Sequence, residues 1–158
     1  MTGDSDSVAA GIVIRPMRRE DVDGVTLLEQ RIFPDPWPRQ AFSEELGRSN
    51  RGVLVAEIGG VLAGYGCYIV IYGEAQLTNI AVDARFRGKS VAKKLLNRIL
   101  EIAKAADCEN IFLDVRPTNK AAIALYRKYG FIELYRRADY YRSPVEDALV
   151  MVRNLREG

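Results

Sequence analysis

No histidine occurs among the 158 residues of this chain. Chemistry that depends on a Ser-His pair, an imidazole base or a histidine-ligated metal is thereby excluded, and acid-base work falls to carboxylates, Tyr, Lys and Cys. Cysteine is scarce as well: Cys67 and Cys108 stand alone, with no C-x-x-C spacing. That count fits neither a disulfide scaffold nor a zinc knuckle, and it points to a reducing, cytoplasmic setting with two buried thiols. Every long apolar run is broken by Gly or charge before it reaches membrane-spanning length. Neither charge sign dominates, since 23 Lys and Arg against 21 Asp and Glu leave a net +2, too little to demand nucleic acid. No metal, nucleic-acid or membrane partner is therefore expected. Residues 1–10, MTGDSDSVAA, lack the basic stretch and apolar core of a signal peptide. They read as a disordered tail ahead of a single domain over residues 11–158.

What is present alternates between two periods. Ile12 to Pro16 reads as a strand, and Val22, Val25, Leu28 and Ile32 recur at helical spacing between Glu20 and Phe33. Pro34, Pro36 and Pro38 surround Trp37 in a segment that cannot be helical, and a short helix follows from Arg39 to Leu46. Gly59-Gly60 is a two-residue hairpin signal between strands Val53 to Ile58 and Val61 to Tyr72, and Ala75 to Val82 continues the meander. An amphipathic helix spans Ser90 to Ala106, then come a buried strand, Asn110 to Val115, and a helix capped by Asn119 and ended by Gly130. Strands Phe131 to Tyr140 and Asp147 to Asn154 close the chain. The order βααβββαβαββ predicts an α+β fold with one mixed, mostly antiparallel twisted sheet and helices on both faces.

The chemistry concentrates in three segments. Arg85, Arg87, Lys89, Lys93 and Lys94 cluster where a loop opens a helix, which suggests a local anion site. Gly88-Lys89-Ser90 mimics the end of a nucleotide-binding P-loop, but that motif needs Gly where this chain has Asp83. Asp114 places one carboxylate on an otherwise apolar strand, as a candidate base; the alternative is a carboxylate held in a salt bridge with Arg116 or another cation. Asn119, Ala122, Tyr126 and Gly130-Phe131 fall at fixed offsets along the last helix.

Together these segments resemble the GCN5-related N-acetyltransferases (GNAT), and from Ile14 to Val152 the chain resembles their ribosomal-protein-alanine N-acetyltransferase branch. The resemblance implies the GNAT acyl-CoA N-acyltransferase fold with acetyl-CoA as cosubstrate. It implies that Arg87, Gly88, Lys89, Ser90, Val91, Ala92 and Lys93 cradle the pyrophosphate of CoA, with Ser90 standing where the family usually has Gly. Main-chain groups of Ile80, Ala81 and Val82 would pair with the pantetheine arm, and Asn119 would contact CoA. Asp114 would be the general base, at a position usually Glu, and Tyr126 would donate to the leaving thiolate. Trp37, Tyr140 and Tyr141 would line the acceptor side. The implied reaction is acetylation of a protein N-terminal α-amine, possible on a small-subunit ribosomal protein, by a monomer or homodimer. The alternatives are the same chemistry on lysine or a small amine, and a silent CoA-binding module.

Overall fold

The computed structural model of the protein describes residues 11–156, so the tail expected over residues 1–10 lies outside the described residues. Gly59 and Gly60 both adopt positive φ, 57° and 80°. This is the backbone that a tight hairpin turn requires and that a Cβ resists. They fold β2 (Arg51–Ile58) back on β3 (Val61–Ile71). With β1 (Ile12–Pro16) and β4 (Glu74–Val82) these strands make the expected antiparallel meander. β5 (Asn110–Val115) then joins β4 in parallel, the one parallel pairing of the sheet. β6 (Ile132–Arg142) and β7 (Val145–Asn154) complete seven strands in the order β1-β2-β3-β4-β5-β7-β6.

A parallel step needs a crossover, and the long helix α3 (Val91–Ala105) supplies it. Its Val91, Leu95, Leu96, Ile99, Leu100 and Ala103 are buried, joining Ile123 and Tyr126 of α4 (Lys120–Lys128) in one core. Helices α1 (Val22–Ile32) and α2 (Arg39–Ser43) pack in a second core. Consecutive residues of β2 serve opposite sides: Leu54 and Ala56 enter the α3 core, Val53 and Val55 the α1 core. The sheet is thus covered on both faces, as the order of elements predicts.

Two boundaries differ from expectation. After Pro38 the α-helix ends at Ser43 instead of Leu46, because the chain tightens into three-residue turns, Glu45 N–H to Phe42 O and Leu46 N–H to Ser43 O. The C-terminal hairpin pairs further toward its tip than expected, with Tyr141 opposite Glu146 and Arg142 opposite Val145. Tyr141 and Glu146 are therefore strand residues.

The sheet opens at one point. β4 and β5 pair only from Glu74–Asn110 to Leu77–Leu113, yet β4 runs on to Val82. The register between β3 and β4 slips there, Cys67 facing Asn79 and Tyr68 facing Leu77. Thr78 is the extra residue, and a bulge of this kind bends its strand and raises the local twist. From Thr78 onward one edge of β4 has no strand beside it.

Candidate active site

A cavity of about 650 Å³ occupies this gap between β4 and β5. Trp37, Ile80, Asp114, Asn119, Tyr126, Tyr140 and Tyr141, all expected site residues, line it together. Its walls come from both faces of the sheet: Trp37 packs with the α1 core and Tyr126 with the α3 core. Two reactants can therefore enter from opposite faces and meet in the split.

Ala81, Val82 and the segment Arg87 to Lys93 are not among the cavity walls. Ile80, Ala81 and Val82 pair with Gly66, Tyr65 and Gly64 of β3 on one side, which leaves the main-chain groups of the other edge without a strand partner. Arg87 to Ser90 leads directly into α3, whose first-turn N–H groups lack intrahelical acceptors. Gly88 has φ 79°, and Ser90 has φ 70°. The Ser90 hydroxyl makes no cap hydrogen bond. A left-handed conformation costs a residue with a Cβ roughly 1–2 kcal/mol. Ser90→Gly is accordingly expected to stabilise the fold by about 1 kcal/mol, read as a higher urea midpoint at unchanged slope.

The spacing of Tyr126 to Gly130 and Phe131 has a local explanation. Asn119 Oδ1 accepts from Ala122 N–H at 3.2 Å and starts α4. At the other end Gly130 turns left-handed at φ 89°, Phe131 N–H returns to Tyr126 O, and Gly130 N–H to Arg127 O. That pair of bonds is a Schellman motif, which brings the third-last helical residue against the second residue past the C-cap. Here those residues are Tyr126 and Phe131, with ring centroids 5.7 Å apart. The motif thus holds the Tyr126 ring, and burial pushes its hydroxyl up to about 12.

Asp114 alternates with buried Leu113 and Val115 along β5 and is half-buried. Arg116 is not its partner. That guanidinium instead bridges to Glu146 at 3.3 Å and to the carbonyls of Pro144 at 2.8 Å and Ser143 at 3.3 Å, and lies 4.2 Å from the centre of the Tyr141 ring. Glu146 also accepts from Thr118 N–H and Oγ1. The β6–β7 tip is therefore clamped to the end of β5, and among the described residues the Asp114 carboxylate makes no salt bridge, although its charge acts on Arg137. Tyr140 and Tyr141 flank it: burial first, then the Asp114 charge, raises both hydroxyls above the ordinary phenol value.

Glu29 escaped the sequence reading. It lines the cavity from α1 at 2% exposure, where Tyr65 Oη and Asn79 Nδ2 both donate to Oε1. Trp37 N–H donates to Oε2 at 3.0 Å. The available signal was a carboxylate in step with Val22, Val25 and Ile32, on the stripe that should be apolar.

The buried phenols make stability depend on alkaline pH. Burial raises Tyr65 and Tyr126, Tyr126 to about 12. Between pH ~10 and ~12 the unfolded chain releases these protons while the fold retains them, so stability is full below ~10 and falls as pH rises. Tyr126 alone contributes a loss of roughly 2–3 kcal/mol by the top of that window. Urea unfolding across this range should show a decline that is shallower in Tyr126→Phe.

Comparison with known proteins agrees with this fold. The model of the Acetyltransferase (GNAT) family matches residues 22–131. The N-alpha-acetyltransferase RimI of Mycobacterium tuberculosis is 34% identical over 98% of this chain and 97% of its own length. The ribosomal protein bS18-alanine N-acetyltransferase of Escherichia coli K12 is 30% identical, covering 87% of this chain and 94% of its own. A crystal structure of the ribosomal-protein-S18-alanine N-acetyltransferase from Escherichia coli superposes with a TM-score of 0.84 at 28% identity, covering 93% of this chain and 96% of that one.

Proposed function

This chain belongs to the GNAT family and is an N-acetyltransferase, and from that premise we propose that it acetylates the N-terminal α-amine of a protein. The acceptor is a small-subunit ribosomal protein with an N-terminal Ala, of the bS18 kind, and the acetyl donor is acetyl-CoA. The observation that carries this reading is the split between β4 and β5, which sets Asp114 among acceptor-side aromatics and Tyr126 on the opposite face.

In this mechanism the free edge of β4 pairs with the pantetheine arm, and the N-terminus of α3 with its Arg87 to Lys93 approach holds the pyrophosphate. Asn119 Oδ1 accepts the cap bond, while its amide nitrogen is the donor offered to CoA. Asp114 takes the proton of the α-ammonium, directly or through a water. The freed nitrogen lone pair attacks the thioester carbonyl, the C–N bond forms, and the C–S bond breaks as CoA thiolate leaves. The nitrogen's second proton passes to water, and the thiolate is protonated from solvent to CoA thiol. Tyr126, at about 12, stands well above a thiol at ~8.5, so complete proton transfer is uphill by roughly 5 kcal/mol. Its contribution is a hydrogen bond to the sulfur as charge develops there.

Cytoplasmic placement follows from the same reading, since acetyl-CoA and newly made ribosomal proteins meet there. Incubation with acetyl-CoA and a peptide carrying the bS18 N-terminus, followed by intact-mass measurement, tests the proposal. Acetylation mapped to the terminal nitrogen supports it, and an unmodified peptide rejects it.

A further inference from the structure

We propose that Glu29 is a positioning residue that sets the acceptor loop in register with β4, where the acetyl group would lie. The inference rests on the reading of this cavity as the site of N-terminal acetylation. Its physical basis is a carboxylate whose two oxygens hold separate pieces of the site. Oε2 accepts from the main-chain N–H of Trp37 at 3.0 Å, in the loop that lines the acceptor side. Oε1 accepts from Asn79 Nδ2 at 2.8 Å and from Tyr65 Oη. Asn79 immediately follows the bulged Thr78 and precedes Ile80, where β4 has left β5.

The loop packs on the α1 core through Phe33 and Trp37, but it has few main-chain groups that a hydrogen bond can fix. Pro34, Pro36 and Pro38 supply no N–H donors, so the Trp37 N–H is one of few main-chain groups in this stretch that can be anchored. The Trp37 ring lies 5.5 Å from Phe42, tilted by 38°, an apolar contact less directional than a hydrogen bond. A carboxylate accepts in all directions, whereas a carboxamide must turn its NH₂ toward one side. Glu29→Gln therefore sets a donor against either Trp37 N–H or Asn79 Nδ2, and one of the two ties breaks at almost constant side-chain volume.

Trp37 is the single Trp of the chain, so its fluorescence reports the loop without turnover. In Glu29→Gln the emission should shift to the red and iodide quenching should rise. The peptide KM should increase about tenfold, with kcat within about threefold and calorimetric CoA affinity unchanged. A core-stabilising role alone would lower thermal stability without separating peptide KM from kcat. Asn79→Ala cuts the same link from the β4 side and carries the test if Glu29→Gln does not fold, with the same direction in both quenching and peptide KM. Unchanged Trp37 emission and quenching in a folded variant overturns the proposal. So does a parallel rise in KM for peptide and acetyl-CoA, or a large fall in kcat at constant KM, which would make Glu29 a base. Failure of the wild type to acetylate any peptide would reject the N-terminal reading instead, and the fluorescence measurement would still decide the role of Glu29.

Discussion

Asp114→Asn is expected to lower kcat by ~100-fold or more while calorimetric CoA affinity stays at the wild-type value, and Tyr126→Phe should do the same. The two substitutions remove different functions. Asn would be unable to take a proton from the α-ammonium, and because Arg116 is held by Glu146, Pro144 and Ser143, no salt bridge to Arg116 is lost when the charge goes. Stability should therefore change little, so lost turnover can be assigned to chemistry. Phe keeps the ring that packs 5.7 Å from Phe131 and deletes only the hydroxyl that is proposed to donate to sulfur. Asp114→Glu should keep substantial activity, since a carboxylate one methylene longer can reach the amine without a bridging water. Steady-state kinetics with purified variants checks all three, and full activity in Asp114→Asn or Tyr126→Phe rejects the role assigned to that residue.

The second large effect concerns the choice of nitrogen. At pH ~7 an α-amine with pKa ~7.8 must give up its proton at a cost of roughly 1 kcal/mol, against more than 4 kcal/mol for a Lys side chain at ~10.4. The difference of roughly 3 kcal/mol corresponds to a preference on the order of 100-fold if the two amines fit the site equally well. Matched peptides, each with one Lys and with the N-terminus free or blocked, should show modification at the terminal nitrogen of the free peptide and little in the blocked one. Fragmentation mass spectrometry locates the acetyl group. Faster labelling of the blocked peptides would sink the N-terminal assignment and leave acetyl transfer itself standing.

Much of this site is visible in consecutive residues because its signals are local. Gly59-Gly60 needs only its own φ angles to turn the chain, and the Asn119 cap reaches three residues to Ala122. Phe131 N–H returns to Tyr126 O within the same turn, so the offsets between Tyr126, Gly130 and Phe131 hold the Tyr ring wherever the helix sits. Other features are not local. Glu29 meets Tyr65 and Asn79 across 36 and 50 residues, and in the sequence it is only one more charge on an amphipathic helix. The bulge at Thr78 leaves no residue signature of its own, since any residue can be the unpaired one when two strands slip in register.

The sequence by itself determined that no imidazole chemistry operates here, which elements form and in what order, and which Tyr closes the last helix. Short-range hydrogen bonds and φ preferences decide those matters, and they act between neighbours in the chain. Only the tertiary structure decided which charges pair. Asp114 and Glu146 both lie within reach of the β5 end, and Arg116 takes Glu146, 30 residues away, instead of the carboxylate two residues before it. Alternation along a strand sends successive side chains to opposite faces but returns residues 114 and 116 to the same one, so their separation in sequence could not exclude the pair. The β6–β7 tip excludes it, because its two carbonyls and Glu146 together supply acceptors on several sides of one guanidinium. The clamp occupies Arg116 with Glu146 and leaves Asp114 with no salt bridge among the described residues, the nearby Arg137 sensing its charge without bridging to it.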